Sequence, residues 1–327
     1  YATSMSLRPR SLSSIPSNQQ WALYAEERLI LPFAGHSLEV VGGIRGTQML
    51  NLAEGFRMKG KFYWDPRVNV GLTFPKFMVG NRISFVRISG GVGEHTKFPT
   101  MDQLYPDPVY LDLTQLNYYH ANAAYRRVNI MTYVIDPTNK NLTPARNLKW
   151  EVSTDVNIGG NRLSVTLFRE NMTSGFRSQS YYAPYTYKWY DTSGIDADAL
   201  VGPPSLDGLP YELRKELMGY SYYTNGSQTL KRGVEYTFSS RRIEKLMTRL
   251  TINGAWFRTT YRNSMVETYR PSAVIGNKQI QYVGYYKNDG GSMNEMLNTN
   301  FTLDTDIPRL KLGFSISAQC LWYTMKQ

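Results

Sequence analysis

The chain has 327 residues, with 37 Lys and Arg against 26 Asp and Glu for a formal charge of +11, one Cys, three His, 25 Tyr, 13 Phe and 6 Trp. A single thiol excludes an internal disulfide and a cysteine zinc site, three scattered His argue against a His-rich metal centre, and the aromatic content excludes a disordered chain. No apolar run reaches about 18 residues, so no membrane-crossing helix is expected, a test that does not detect a β-barrel.

The chain opens on Tyr1 without the basic-then-apolar start of a secretory leader, and it closes on Gln327 directly after an alternating segment. The expectation is an internal piece of a longer polypeptide. In between, the dominant period is two. Alternation predicts about ten strands, at 21–32, 37–49, 63–75, 82–92, 148–159, 161–172, 229–240, 246–262, 291–305 and 309–323. The last shows the pattern most plainly. Leu310, Leu312, Phe314, Ile316, Ala318, Cys320 and Trp322 share one face, and Lys311, Gly313, Ser315, Ser317 and Gln319 the other. Most of these strands exceed the usual 5–6 residues and suit the roughly 9–11 needed to cross a bilayer at a tilt.

The connections alternate in length. Short ones fall at 34–36, near Gly80 and Asn81, at 159–161, at 241–245 and at 306–308, with Gly and Asn available for positive φ. Long ones are expected at 51–62, 93–147, 173–228 and 263–290. In an up-and-down barrel, strict alternation puts every short turn at one end and every long loop at the other. A soluble antiparallel sheet with one wet face also alternates. Strand length, the very polar second face and aromatics expected near strand ends (Trp21, Trp64, Trp150, Trp256, Trp322) favour the membrane. An open ten-stranded sheet in lipid would leave two bare edges, so the expected fold class is all-β: a partial, antiparallel, up-and-down transmembrane β-barrel with long external loops.

Several separated stretches resemble TonB-dependent outer-membrane receptors of Bacteroidetes, in the SusC/RagA-like branch. They are residues 90–107, reading GGVGEHTKFPTMDQLYPD; Asn117 to Tyr119; Tyr125 to Asn129; Asp136 to Asn139; and Asn141 to Glu151. The last is similar to an N-x-x-L-x-P-E-x-x-x-x-E strand entry, with Ala145 where that pattern usually carries Glu. Tyr24 to Glu27, Gly43 to Arg45 and Asp65 to Asn69 fit the same barrel. The resemblance implies one domain over residues 1–327, forming about ten strands of a roughly 22-stranded barrel without its plug or C-terminal strands. It implies a location in the cell outer membrane and energy-coupled uptake of a large solute such as a glycan, peptide or metal chelate. Implied partners are outer-membrane lipid and lipopolysaccharide, the TonB complex through the missing plug, and a SusD-like surface lipoprotein.

The residues themselves suggest where contacts lie. Tyr181, Tyr182, Tyr185, Tyr187, Trp189 and Tyr190 crowd one expected loop and offer flat rings for a ligand, or for one another. Glu151, Asp155, Glu235 and Arg249 sit on polar strand faces, where they would face the lumen and plug. Residues 210–219 read as a short loop helix, with Pro210 in its first turn and Gly219 at its stop. Asp102, Asp107, Asp112 and Asp136, with Asn117, Asn122 and Asn139, lack calcium-loop spacing and are expected to be turn formers. No metal, cofactor, catalytic group or nucleic-acid partner is expected, and no enzyme activity. The alternative reading is a soluble all-β carbohydrate-binding module.

Overall fold

The structure is a computed structural model that describes residue 8 and residues 10–276, 278–286 and 291–327. In chain order the strands are β1 (Gln19–Phe33), β2 (His36–Leu50), β3 (Phe62–Thr73), β4 (Phe77–Val79), β5 (Arg82–Lys97), β6 (Val109–Tyr118), β7 (Arg127–Ile135), β8 (Ala145–Ile158), β9 (Asn161–Tyr190), β10 (Tyr211–Ser239), β11 (Thr248–Asn263), β12 (Glu267–Tyr269), β13 (Val274–Ile275), β14 (Lys278–Gln279), β15 (Gly284–Tyr286), β16 (Ser292–Ile307) and β17 (Leu312–Lys326). A one-turn helix, α1, covers Met101–Leu104. The main sheet runs β1-β2-β3-β5-β8-β9-β10-β11-β16-β17, with β4 pairing β5. Every neighbour in it is antiparallel, which makes it a section of an up-and-down barrel wall. All ten predicted strands have a counterpart.

The turns are built by residues that tolerate positive φ. Ala34 and Gly35 close β1 onto β2, and Gly159 and Gly160 close β8 onto β9. Two consecutive positive-φ residues match the right-handed twist of the flanking strands. Gly80, Met247 and Lys311 serve the other three short turns.

Register sorts the side chains into two faces. Across β1 to β3, Leu29, Val40 and Val70 lie in line on one face, and so do Leu31, Leu38 and Leu72. Farther along, Val152, Leu167, Val234, Trp256 and Leu297 continue that face. The opposite face carries Glu39, Arg67, Arg87, Asp155 and Glu235. No second sheet covers the apolar face among the described residues. Leu29 is 51% exposed, Val92 49%, Leu167 47% and Ile316 60%.

The buried hydrophobic core lies elsewhere. Met49, Leu52, Phe56, Met58, Leu104 and Leu142 cluster at the long-loop end, with Tyr63, Phe98, Met101, Tyr105, Phe176 and Tyr223 packed against them. Met49 follows Thr47 in the strand alternation, and Thr47 stands opposite Tyr63, so this cap sits on the polar side of the wall.

Four expectations are corrected. The segment 173–228 is mostly not a loop: β9 and β10 run on as a two-stranded arm, leaving 191–210 as the connection. The aromatic stretch 181–190 is therefore strand, and so is 211–219, where a helix is predicted. Local helix signals lose because Leu213, Lys215, Leu217 and Gly219 pair residue by residue with Lys188, Thr186, Pro184 and Tyr182, and non-local pairing outweighs weak propensity. Leu310 leaves the alternation, since Pro308–Leu310 forms a tight 3-10 turn before β17. Of the five tryptophans placed near strand ends, Trp150 and Trp256 lie well inside β8 and β11.

Candidate functional site

Three features meet at the long-loop end: the cap, the arm and the polar face of the wall. The cap begins where the chain enters β8. Leu142 is fully buried, the Asn139 side chain accepts the Asn141 amide at 3.0 Å, and Ala145 is 2% exposed. Asn225 on β10 grips this entry. Its Oδ1 accepts from Thr143 N at 2.9 Å and from Thr143 Oγ1 at 3.2 Å, while its Nδ2 donates to Thr143 O at 2.8 Å and Ser174 O at 2.9 Å. The strand-entry motif seen in the sequence is thus an anchor that ties β8 to the bulged base of the arm.

β6 and β7 form a hairpin that rises from the cap and touches the arm. Tyr133 Oη donates to Thr186 O at 2.6 Å, and its ring lies 5.0 Å from that of Tyr185. The hairpin is clasped from the N-terminal side. Arg8 donates to both carboxylate oxygens of Asp112 at 2.7 Å and stacks on Tyr110, and Arg10 pairs with Asp107 at 2.9 Å. The Thr132 hydroxyl, then Arg8, holds the Asp112 carboxyl below the usual carboxylate range.

On the arm, the six predicted aromatics divide between two faces. Register aligns Tyr181, Tyr185, Tyr187 and Trp189 on one, opposite Tyr220, Glu216, Arg214 and Glu212. Tyr182 and Tyr190 lie on the other, opposite Gly219 and Tyr211. Most of the rings already have partners. The Tyr181 ring lies 5.4 Å from Tyr220, Tyr190 lies 5.7 Å from Tyr211, and the Arg214 guanidinium lies 3.5 Å above Trp189. Burial, reinforced by the neighbouring phenols, raises the pKa of Tyr185 and Tyr220. A recess of about 300 Å³ beside Tyr182, Gly219, Tyr220 and Arg270 is left on this arm. A Cβ at Gly219 would lie 2.5 Å from the Tyr182 ring, so only glycine lets that ring lie flat on the strand. The flat phenol, the edge of Met218 and a guanidinium suit a polar solute with a stacking face.

The wall's polar face carries the other candidates, and all four occupy it. Glu151 pairs with Lys149 at 3.1 Å, and Asp155 stands opposite Arg87. Glu235 stands opposite Thr166, and Arg249 opposite Asp304. Glu39 bridges Arg28 at 2.6 Å and Arg87 at 3.0 Å. Arg87, Glu39 and Glu151 help line a cleft of about 160 Å³ paved by Gly71 and Gly90. Of the residues expected as turn formers, Asp136 and Asn122 serve turns, whereas Asp112 and Asn117 lie inside β6, and Asp107 and Asp112 act as ion-pair partners that the sequence did not announce. Asp136 caps the Thr138 amide, Asn122 caps Ala124, and Asp107 and Asp112 take the arginines.

No family model matches the chain, and no curated protein matches it either. Among solved structures, it is similar to the siderophore receptor PirA from Acinetobacter baumannii, at 10% identity and a TM-score of 0.33, over 92% of this chain and 55% of that one. The chain thus spans about half the length of that receptor.

Sequence reading missed Asn225, the Arg8–Asp112 clasp, the Arg177–Glu267 pair and Arg270, which binds Leu217 O and Gln279. Each joins segments far apart in the chain, which no local pattern reports. The Asn225–Gly226 pair, whose residue types suit an irregular backbone, is the one local signal near any of them.

Proposed function

We propose that this chain is part of the wall of a TonB-dependent outer-membrane receptor that takes up a large solute. The observation that carries the reading is the uncovered apolar face of a ten-strand meander whose buried hydrophobic cluster, among the described residues, lies at the long-loop end and on the other side of the wall. A soluble monomer rarely exposes a contiguous apolar patch beyond a few hundred Å². A bilayer is the medium in which such a face is not exposed to water. The strict alternation of short turns and long loops supports the same reading, as do the residues that resemble the receptor family.

In this reading the polar face lines the lumen. Glu151, Asp155, Glu235 and Arg249 meet the plug, whose TonB-driven displacement opens the path. The arm and the β6–β7 hairpin project outward, and the recess at Tyr182, Tyr220 and Arg270 takes the first contact with a glycan, peptide or chelate. A SusD-like surface lipoprotein is the partner that would close over these loops.

The test is labelling from the lipid phase. Cysteines are placed singly at Leu312, Ile316, Ser315 and Ser317 in a Cys320→Ser background, and the protein is reconstituted in vesicles. Leu312→Cys and Ile316→Cys react with a membrane-confined reagent, while Ser315→Cys and Ser317→Cys do not. Equal labelling of both faces, or protection of both, refutes the barrel wall and returns the reading to a soluble β module.

A further inference from the structure

On the apolar face, near its loop-side margin, one row of side chains breaks the pattern. Register places Arg169, Arg232 and Arg258 directly opposite one another on β9, β10 and β11, with Glu295 next on β16. Toward the short turns the same face continues as Leu167, Val234, Trp256 and Leu297. Toward the loops the next row is mixed, with Asn171, Leu230, Thr260 and Met293 side by side, and beyond it Gln228 stands opposite Arg262. The row therefore marks where the wholly apolar rows end and a mixed surface begins.

Like charges directly opposite each other on a sheet are destabilising unless an anion lies between them. Glu295 answers only Arg258. It accepts from Arg258 Nε at 2.6 Å and is filled by Trp256 Nε1 at 2.9 Å and Tyr323 Oη at 2.8 Å. Among the described residues, no carboxylate pairs with Arg169, Arg232 or Arg262. All three are exposed. On the polar face the pattern is different, since Arg28, Arg67 and Arg87 each have a glutamate. Two of the unanswered guanidinia, Arg232 and Arg262, line with Arg258 a cavity of about 430 Å³ whose walls also include Asn171, Leu230 and Thr260, and Arg169 stands beside Arg232 in the row next to it. That volume lies within the range of small-ligand sites.

We propose that this cavity is a binding site for the phosphate-bearing headgroup of an outer-leaflet glycolipid. The inference rests on the membrane placement proposed above. Guanidinium forks match phosphate oxygens bidentately. Arginine on a lipid-facing strand is costly near the bilayer middle and tolerable at its margin. A phosphorylated glycolipid brings anions to that margin while its acyl chains descend over Leu167, Val234 and Trp256. A free anion uses the guanidinia but not the apolar rows beneath them.

The test uses the full-length protein in detergent, with lipopolysaccharide as the probe and binding read by native mass spectrometry. Arg169→Gln/Arg232→Gln/Arg262→Gln weakens binding at least about tenfold, the effect of losing one or two charge-assisted contacts, and removing the glycolipid's phosphates weakens it equally. Arg241→Gln, at the opposite end of the wall, leaves it unchanged. Inorganic phosphate at equal concentration does not displace the glycolipid, and phosphatidylglycerol binds more weakly. Should the triple variant lose its β-sheet circular dichroism, Arg262→Gln alone gives a smaller loss in the same direction. The site is refuted if the triple variant binds like wild type, if the dephosphorylated glycolipid binds as well, or if inorganic phosphate or phosphatidylglycerol binds equally. Lipid-phase labelling at Leu312 separates the two claims. Labelled protein with unchanged binding sinks this site alone, and unlabelled protein sinks the membrane placement as well.

Discussion

Replacing Asn225 tests whether the strand-entry motif is an anchor. An amide side chain has two donor hydrogens and an oxygen with two lone pairs, and Asn225 uses all of them on Thr143 and Ser174. Each such bond is worth about 0.5–1.5 kcal/mol net, and because the site is only partly buried the lower end applies, so Asn225→Ala costs roughly 2 kcal/mol of local stability. Asn225→Asp keeps the shape but turns the two donors into an acceptor facing the carbonyls of Thr143 and Ser174, and it costs at least as much. Hydrogen exchange read by mass spectrometry on 143–148 shows the loss directly. Exchange there accelerates roughly 30-fold, which is what about 2 kcal/mol of easier local opening amounts to, while β1 and β2 keep their protection. Acceleration below about threefold in both variants refutes the anchor, because four lost bonds cannot cost so little. Uniform acceleration across all strands also refutes it, since that reports global destabilisation.

Two other predictions follow from the same geometry. Asp112 has its pKa lowered by Thr132 and Arg8, so the clasp's contribution is complete above the ordinary carboxylate pKa and is lost as pH falls through the lowered value. Proteolysis of 8–18 should therefore rise in acid with wild type and already at neutral pH with Asp112→Asn, and equal cleavage of the two proteins at neutral pH counts against the clasp. A Cβ at Gly254 would lie 2.4 Å from Asn298 O and 2.6 Å from Tyr236 Oη, whereas Gly42 has nothing within 4 Å. Gly254→Val should lower the thermal midpoint in detergent by an amount matching roughly 1–3 kcal/mol, with Gly42→Val close to wild type, and equal midpoints for the two variants would defeat the steric argument.

Much of the wall was legible because period-two alternation is a local signal that barrel strands repeat faithfully. Strand 63–75 became β3 at Phe62–Thr73 because Val68, Val70 and Leu72 can share only one face. The turns were legible because Gly35, Gly159 and Gly160 announce positive φ. Glu151, Asp155, Glu235 and Arg249 took the expected face because, once the register is set, parity decides it. The arm was not legible. Tyr181 to Tyr190 contains Pro184 and two runs of polar and aromatic residues with no apolar stripe, and its strand character depends on β10 lying alongside. The helix expected at 210–219 failed for the same reason. The arginine row escaped notice because its members come from three strands and meet only through pairing.

The cap's residues come from far apart in the chain. Leu52, Phe56 and Met58 follow β2, Leu104 follows β5, Leu142 precedes β8, and Phe176 and Tyr223 come from β9 and β10. No single loop can assemble it. A slip of one residue in β2 or β3 would also turn Met49 or Tyr63 onto the opposite face and out of the cluster. The cap thus proofreads the wall: its members meet only where the strands that carry them stand in correct register, and from outside the sheet it holds that register in place.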